Sequence, residues 1–123
     1  MKILLDTHIL LWYLWGDKSL SERCKILIDN PENTKLFSII SLWEIAIKNS
    51  IGKLDLKGRI EDLIPEQVIL LPIRPEHIYH VQTMPFHHKD PFDRLLAAQS
   101  IIERVPLLSG DEIFDTYGVE RVF

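Results

Sequence analysis

The 123-residue chain is 46% hydrophobic and 26% charged, with a formal net charge of −4. This is globular composition rather than the low-hydropathy, high-charge pattern of a disordered chain, and a domain of this length buries roughly two thirds of the surface its unfolded chain exposes. The acidic balance argues against holding nucleic acid through a broad basic surface, and the lone Cys24 excludes an internal disulfide and a four-cysteine zinc site.

KILLD, residues 2–6, is a short apolar run ending in an acid, as a buried parallel strand would be, and THILLWYLW after it reads as a helix with Thr7 as N-cap. The apolar run falls far short of a membrane span and no small-residue cleavage site follows, so a soluble, cytoplasmic protein is expected. SLSERCKILIDNP is amphipathic and stops at Asn30 and Pro31, with Cys24 read as a half-buried thiol. KLFSII is a second strand candidate leading into SLWEIAIKNSIGKL, a helix with Ser41 in N-cap position, Glu44 three residues on as in a capping box, and Gly52 at its far end. A short helix around RIEDLI, a strand in VILLPI and a helix in PEHIYHVQTM come next. In HHKDPFDRLLAAQ, Asp90 is placed to cap a helix whose first position is Pro91 and whose third is Asp93. VPLLSGDEIFDTYGV then gives a strand, a turn and a short helical piece, and ERVF a possible edge strand. Alternating strands and helices imply one three-layer α/β domain over residues 1–123 with a mainly parallel central sheet.

In such sheets the strand carboxyl ends and helix N-termini gather along one edge, where sites form. Four acids map there: Asp6 closing the first strand, Glu44 after the second, Asp93 opening the helix after Pro91, and Asp111 after the last core strand. Glu44, Asp93 and Asp111 also have capping or helix-dipole readings, whereas Asp6 has none and costs desolvation at the end of a buried strand. Two carboxylates about 4 Å apart repel by roughly 4 kcal/mol at an effective dielectric near 20, so converging acids need protons or cations between them. Carboxylate oxygens suit Mg²⁺ or Mn²⁺, and such a centre activates water against a phosphodiester. Lys48, one turn after Glu44, and Arg94 are each read as either an ion-pair partner or a phosphate contact. Ala97 and Ser100, small residues a turn beyond Asp93, are read as leaving room beside its carboxylate.

The histidines are weaker candidates. His87 and His88 are adjacent and point apart, without metal-ligand spacing. His8 in DTHIL resembles the start of TatD-type metal-dependent hydrolases, but Leu10 stands where those need a second histidine. His77 and His80 read as surface or interhelical residues.

On LLDTHILLW, SLWEIAIKNSIGKL, HHKDPFDRLLAAQS and LLSGDEIFDTYGV, the chain resembles the PIN-domain nucleases nearly end to end, and in particular the VapC toxins of type II toxin-antitoxin systems. Ser109-Gly110 departs from the Thr-Ala frequent before the last acid, but keeps the hydroxyl. The resemblance implies an α/β/α PIN fold and a Mg²⁺- or Mn²⁺-dependent endoribonuclease, with Asp6, Glu44, Asp93 and Asp111 as the acidic set and Lys48 and Arg94 as candidate substrate contacts. It further implies an RNA substrate, a homodimer and a cognate VapB-like antitoxin, through which alone operator DNA would be bound. Two alternatives stand beside it: a PIN-fold binding module without catalysis, and a receiver-like signalling domain, for which paired acids after the first strand and an aspartate ending VILLPI are missing.

Overall fold

In the computed structural model, which describes residues 1–123, five strands form one sheet: β1 (Lys2–Leu5), β2 (Thr34–Ser38), β3 (Val68–Leu71), β4 (Leu107–Leu108) and β5 (Arg121–Val122). Their spatial order is β3-β2-β1-β4-β5, and every pairing is parallel, so the sheet is wholly rather than mainly parallel. The helices are α1 (Thr7–Trp15), α2 (Glu22–Asp29), α3 (Ile39–Ser50), α4 (Pro75–Thr83) and α5 (Pro91–Glu103), with 3₁₀ turns at Ile60–Asp62 and Glu112–Tyr117. None is long and apolar enough to cross a membrane.

Strand periodicity divides the core into two halves. Ile3 and Leu5 of β1, Phe37 of β2 and Leu108 of β4 point to one face, where they pack with Ile9 and Leu10 of α1 and Cys24 and Ile28 of α2. Leu4, Leu36 and Leu107, the alternate positions, point to the other face and meet Leu96, Ala97 and Ala98 of α5. A parallel sheet covered on both faces is buried throughout, which is why KILL reads as a continuous apolar run. Cys24 is fully buried rather than half-buried, its sulfur 3.7 Å from the Val122 carbonyl oxygen.

Two helix starts differ from the sequence reading. Asp6, not Thr7, caps α1, its Oδ1 accepting the Thr7 N–H at 2.7 Å. At α3 the helix begins at Ile39 directly from the strand, with Ser38 as the cap and Ser41 buried inside the first turns. Ser38 is favoured because its hydroxyl accepts the Ile40 N–H and donates to the buried Gln99 of α5, a partner far away in sequence. Glu44 therefore lies in the second turn of α3, outside any capping box, and its carboxylate is left for other contacts.

Candidate active site

The two corrected caps decide how the first two acids are held. Asp6 is 4% exposed at the carboxyl end of β1; besides capping α1 through Oδ1, its Oδ2 accepts the Ser109 hydroxyl at 2.7 Å. The same Ser109 oxygen accepts the Asp111 N–H at 3.0 Å, so one hydroxyl ties the end of β1 to the loop after β4. His8 adds a second tie: its Nε2 accepts the Gly110 N–H at 3.2 Å, which puts its proton on Nδ1, 3.4 Å from Asp6 Oδ2. Burial pushes the His8 pKa down, in keeping with this neutral tautomer.

Thr7, freed from capping, donates its hydroxyl to Glu44 Oε1 at 2.7 Å, and Lys48 donates to Glu44 Oε2 at 2.9 Å. Hydrogen bonding to Glu44 raises the Lys48 pKa. Both oxygens of a nearly buried carboxylate are thereby fixed, one by α1 and one from its own helix. Asp93, in the first turn of α5, is placed by the cap that the sequence predicts: Asp90 Oδ1 accepts the N–H groups of Phe92 and Asp93 at 2.8 and 3.2 Å. Asp111 opens the 3₁₀ turn, accepting the Ile113 N–H at 3.1 Å.

All four acids line one pocket of about 370 Å³, together with Asp90, Lys48 and Lys53. Five carboxylates there face two lysines. Burial, assisted by the charges of Glu44 and Asp111, raises the Asp6 pKa to about 6 despite the hydrogen bonds from Ser109 and Thr7. Asp93 is likewise raised to about 6, chiefly by burial and then by the charges of Asp90, Asp6 and Glu44. Oxygen donors carrying net negative charge in a partly enclosed pocket have the chemistry that suits a hard divalent cation, and at its edge the ligand atoms of His88, Asp90 and Asp93 lie within 4.8 Å of one another.

Three residues read from the sequence as belonging beside the acids stand elsewhere: Arg94, Ala97 and Ser100. Arg94 does not reach the pocket: its buried guanidinium donates to the Pro85 and Val81 carbonyls and the Tyr117 hydroxyl, and lies 4.8 Å from the Phe86 ring centre. From the third position after Asp90 a side chain faces the pocket, while from the fourth it faces the 85–86 loop. Ala97 packs in the core and Ser100 donates to the Val105 carbonyl, and neither lines the pocket. His77 is interhelical, its Nδ1 accepting the Arg74 N–H and its Nε2 bonded to Glu103 across α4 and α5.

Conversely, two residues join the site that the sequence reading leaves out: Lys53, which it does not name, and His88, which it sets aside for lacking metal-ligand spacing. Lys53 reaches the pocket because the loop after α3 turns back, its N–H donating to the Lys48 carbonyl. His88 Nε2 lies 2.9 Å from Asp93 Oδ2, a contact of five residues' separation across the Asp90 cap, whose own backbone is extended. Of the pair His87-His88, the expectation that the two rings point apart holds, since His87 packs against Tyr117.

The PIN domain family model matches residues 3–120. The chain belongs to the PIN domain family. The receiver-like alternative falls with that assignment. No curated protein matches the sequence. Among solved structures, this PIN domain is similar to a chain of VapBC2 from Rickettsia felis bound to a DNA fragment from their promoter, with TM-score 0.74 and 17% identity over 99% of this chain and 98% of that one. It is also similar to a chain of VapBC-1 from nontypeable Haemophilus influenzae (TM-score 0.67, 18% identity, 99% and 97% covered) and of FitAcB from Neisseria gonorrhoeae (TM-score 0.63, 17% identity, 98% and 96% covered). At these identities the likeness is one of fold.

Proposed function

We propose that this PIN domain is a Mg²⁺- or Mn²⁺-dependent endoribonuclease and the toxin of a type II toxin-antitoxin pair. The observation that carries the enzymatic reading is the convergence of Asp6, Glu44, Asp93 and Asp111, from four separate elements, on one pocket where Asp6 is buried. A divalent cation bound there supplies Lewis-acid activation of water and neutralises charge on a scissile phosphate. The chain's own part is to hold the carboxylates: Ser109 and the α1 backbone orient Asp6, Thr7 and Lys48 orient Glu44, and the Asp90 cap sets the turn that carries Asp93. Lys53 and the exposed part of Lys48 supply positive charge at the rim for the RNA backbone. In support of the toxin reading, the similar folds belong to VapBC and FitAcB proteins; a VapB-like antitoxin, a homodimer, and operator DNA reached only through the antitoxin follow as part of the proposal.

The test is to purify the chain and an Asp93→Asn variant, and to map RNA ends after incubation with Mn²⁺ or with EDTA. Cleavage by the wild type with Mn²⁺ is expected, with a loss of more than roughly a hundredfold in the variant, as befits removal of several kcal/mol of charge stabilisation. Full-rate cleavage by folded Asp93→Asn protein overturns the site assignment.

A further inference from the structure

We infer that His88 is a positioning residue for the acidic site, holding Asp93 in the orientation in which its carboxylate serves a cation. The inference rests on the metal-dependent reading above and assigns a role to a side chain outside the four acids.

Three observations carry it. His88 Nε2 is 2.9 Å from Asp93 Oδ2, and an ionised carboxylate only accepts, so the ring N–H donates. That bond occupies one oxygen and leaves Oδ1 free on a side chain that lines the pocket. Second, Asp93 has no other side-chain anchor. The Asp90 cap takes its backbone N–H, fixing where the helix starts but not how the carboxylate rotates about its side-chain bonds. Asp6 and Glu44, by contrast, each have both oxygens engaged. His88 thus does for Asp93 what Ser109 does for Asp6 and Thr7 for Glu44. Third, ligand atoms of His88, Asp90 and Asp93 lie within 4.8 Å of one another, so the imidazole sits against the carboxylates rather than reaching in from a distance. A donor that pins one oxygen of a ligating carboxylate removes rotamer freedom which cation binding would otherwise have to freeze, and loss of such an outer partner typically weakens metal affinity about 10- to 100-fold.

Two near-conservative substitutions test it. In His88→Gln the terminal amide N–H reaches about as far as Nε2, whereas in His88→Asn it stops near the position of Nδ1 and cannot reach Asp93. Mn²⁺ affinity of the full chain is measured by calorimetry, thermal unfolding is recorded in EDTA, and the Mn²⁺ dependence of RNA cleavage is followed. The expected result is a roughly tenfold or greater loss of Mn²⁺ affinity in His88→Asn, affinity within about threefold of wild type in His88→Gln, and cooperative unfolding of both variants in EDTA, with His88→Asn lowered by no more than about 5 °C for the lost hydrogen bond. The Mn²⁺ concentration for half-maximal cleavage should rise with the affinity loss, while the rate at saturating Mn²⁺ recovers. Wild-type Mn²⁺ affinity in His88→Asn, or an equal loss in both variants, overturns the positioning role alone. A wild-type chain that binds no Mn²⁺ overturns the metal reading itself, and this inference with it.

Discussion

Replacing Asp6 by Asn should make the cation-free protein more stable near neutral pH while ending the proposed RNA cleavage. The folded protein raises this carboxyl from 3.8 to about 6, with burial the main cause. At about 1.4 kcal/mol per pKa unit, the charged form opposes folding by roughly 3 kcal/mol. The sign follows from proton binding. The folded chain holds this proton more tightly than the unfolded chain, so stability rises as pH falls from about 6 to about 4, and the full penalty is present above that window. Asn removes the charge and sacrifices one of two hydrogen bonds, those from the Thr7 N–H and the Ser109 hydroxyl, at a cost of about 1 kcal/mol. The net expectation is a gain of about 1–2 kcal/mol at about pH 8, shrinking to nothing or a small loss at about pH 4. Urea denaturation in EDTA at the two pH values measures it. With Mn²⁺ present the order should reverse, because the cation compensates Asp6 but has less to bind in the variant. An Asp6→Asn protein that is less stable than wild type in EDTA at the higher pH would refute the claim that this carboxylate is held at a cost.

Other expectations separate structure from chemistry. Arg94→Ala should lose roughly 2–3 kcal/mol by denaturation, because the Pro85 and Val81 carbonyls lose their donor, yet retain cleavage per folded molecule. Lys48→Ala should change stability by less than about 1 kcal/mol, since the ion pair with Glu44 is half exposed at the lysine, but raise KM for RNA more than it lowers kcat. Mn²⁺ at about a hundred times its Kd should stabilise the wild type by about 2.7 kcal/mol in a thermal shift, and EDTA or Asp93→Asn should abolish that gain.

The layered parallel fold is legible because apolar runs alternate with amphipathic segments, and β1, β2 and β4 run into Asp6, Ser38 and Ser109 at the sheet edge. Cap identity is less legible. Asp6 and Thr7 are both good caps, as are Ser38 and Ser41, and the choice between neighbours is made by partners distant in sequence: Glu44 for Thr7, Gln99 for Ser38. The acids could be placed on one edge from topology alone, whereas the direction of a cation could not. Arg94 and Lys48 follow an acid at one residue and at one turn, and only the turn keeps the side chain in the pocket. His88 was obscured by its neighbour, since adjacency shows that two rings diverge without saying which one meets the carboxylate.

Helix α5 gives the chain its most recognisable words, and the reason is social rather than local. Asp90 serves the helix start, Asp93 the pocket, Arg94 the 85 loop and Tyr117, Gln99 the ends of β2 and β3 through Ser38 and Pro72, and Ser100 the approach to β4. A surface helix answers to one neighbour and can be rewritten on its outer face. This one has no outer face over most of its length, so nearly every letter of DPFDRLLAAQS is under contract to a different part of the molecule.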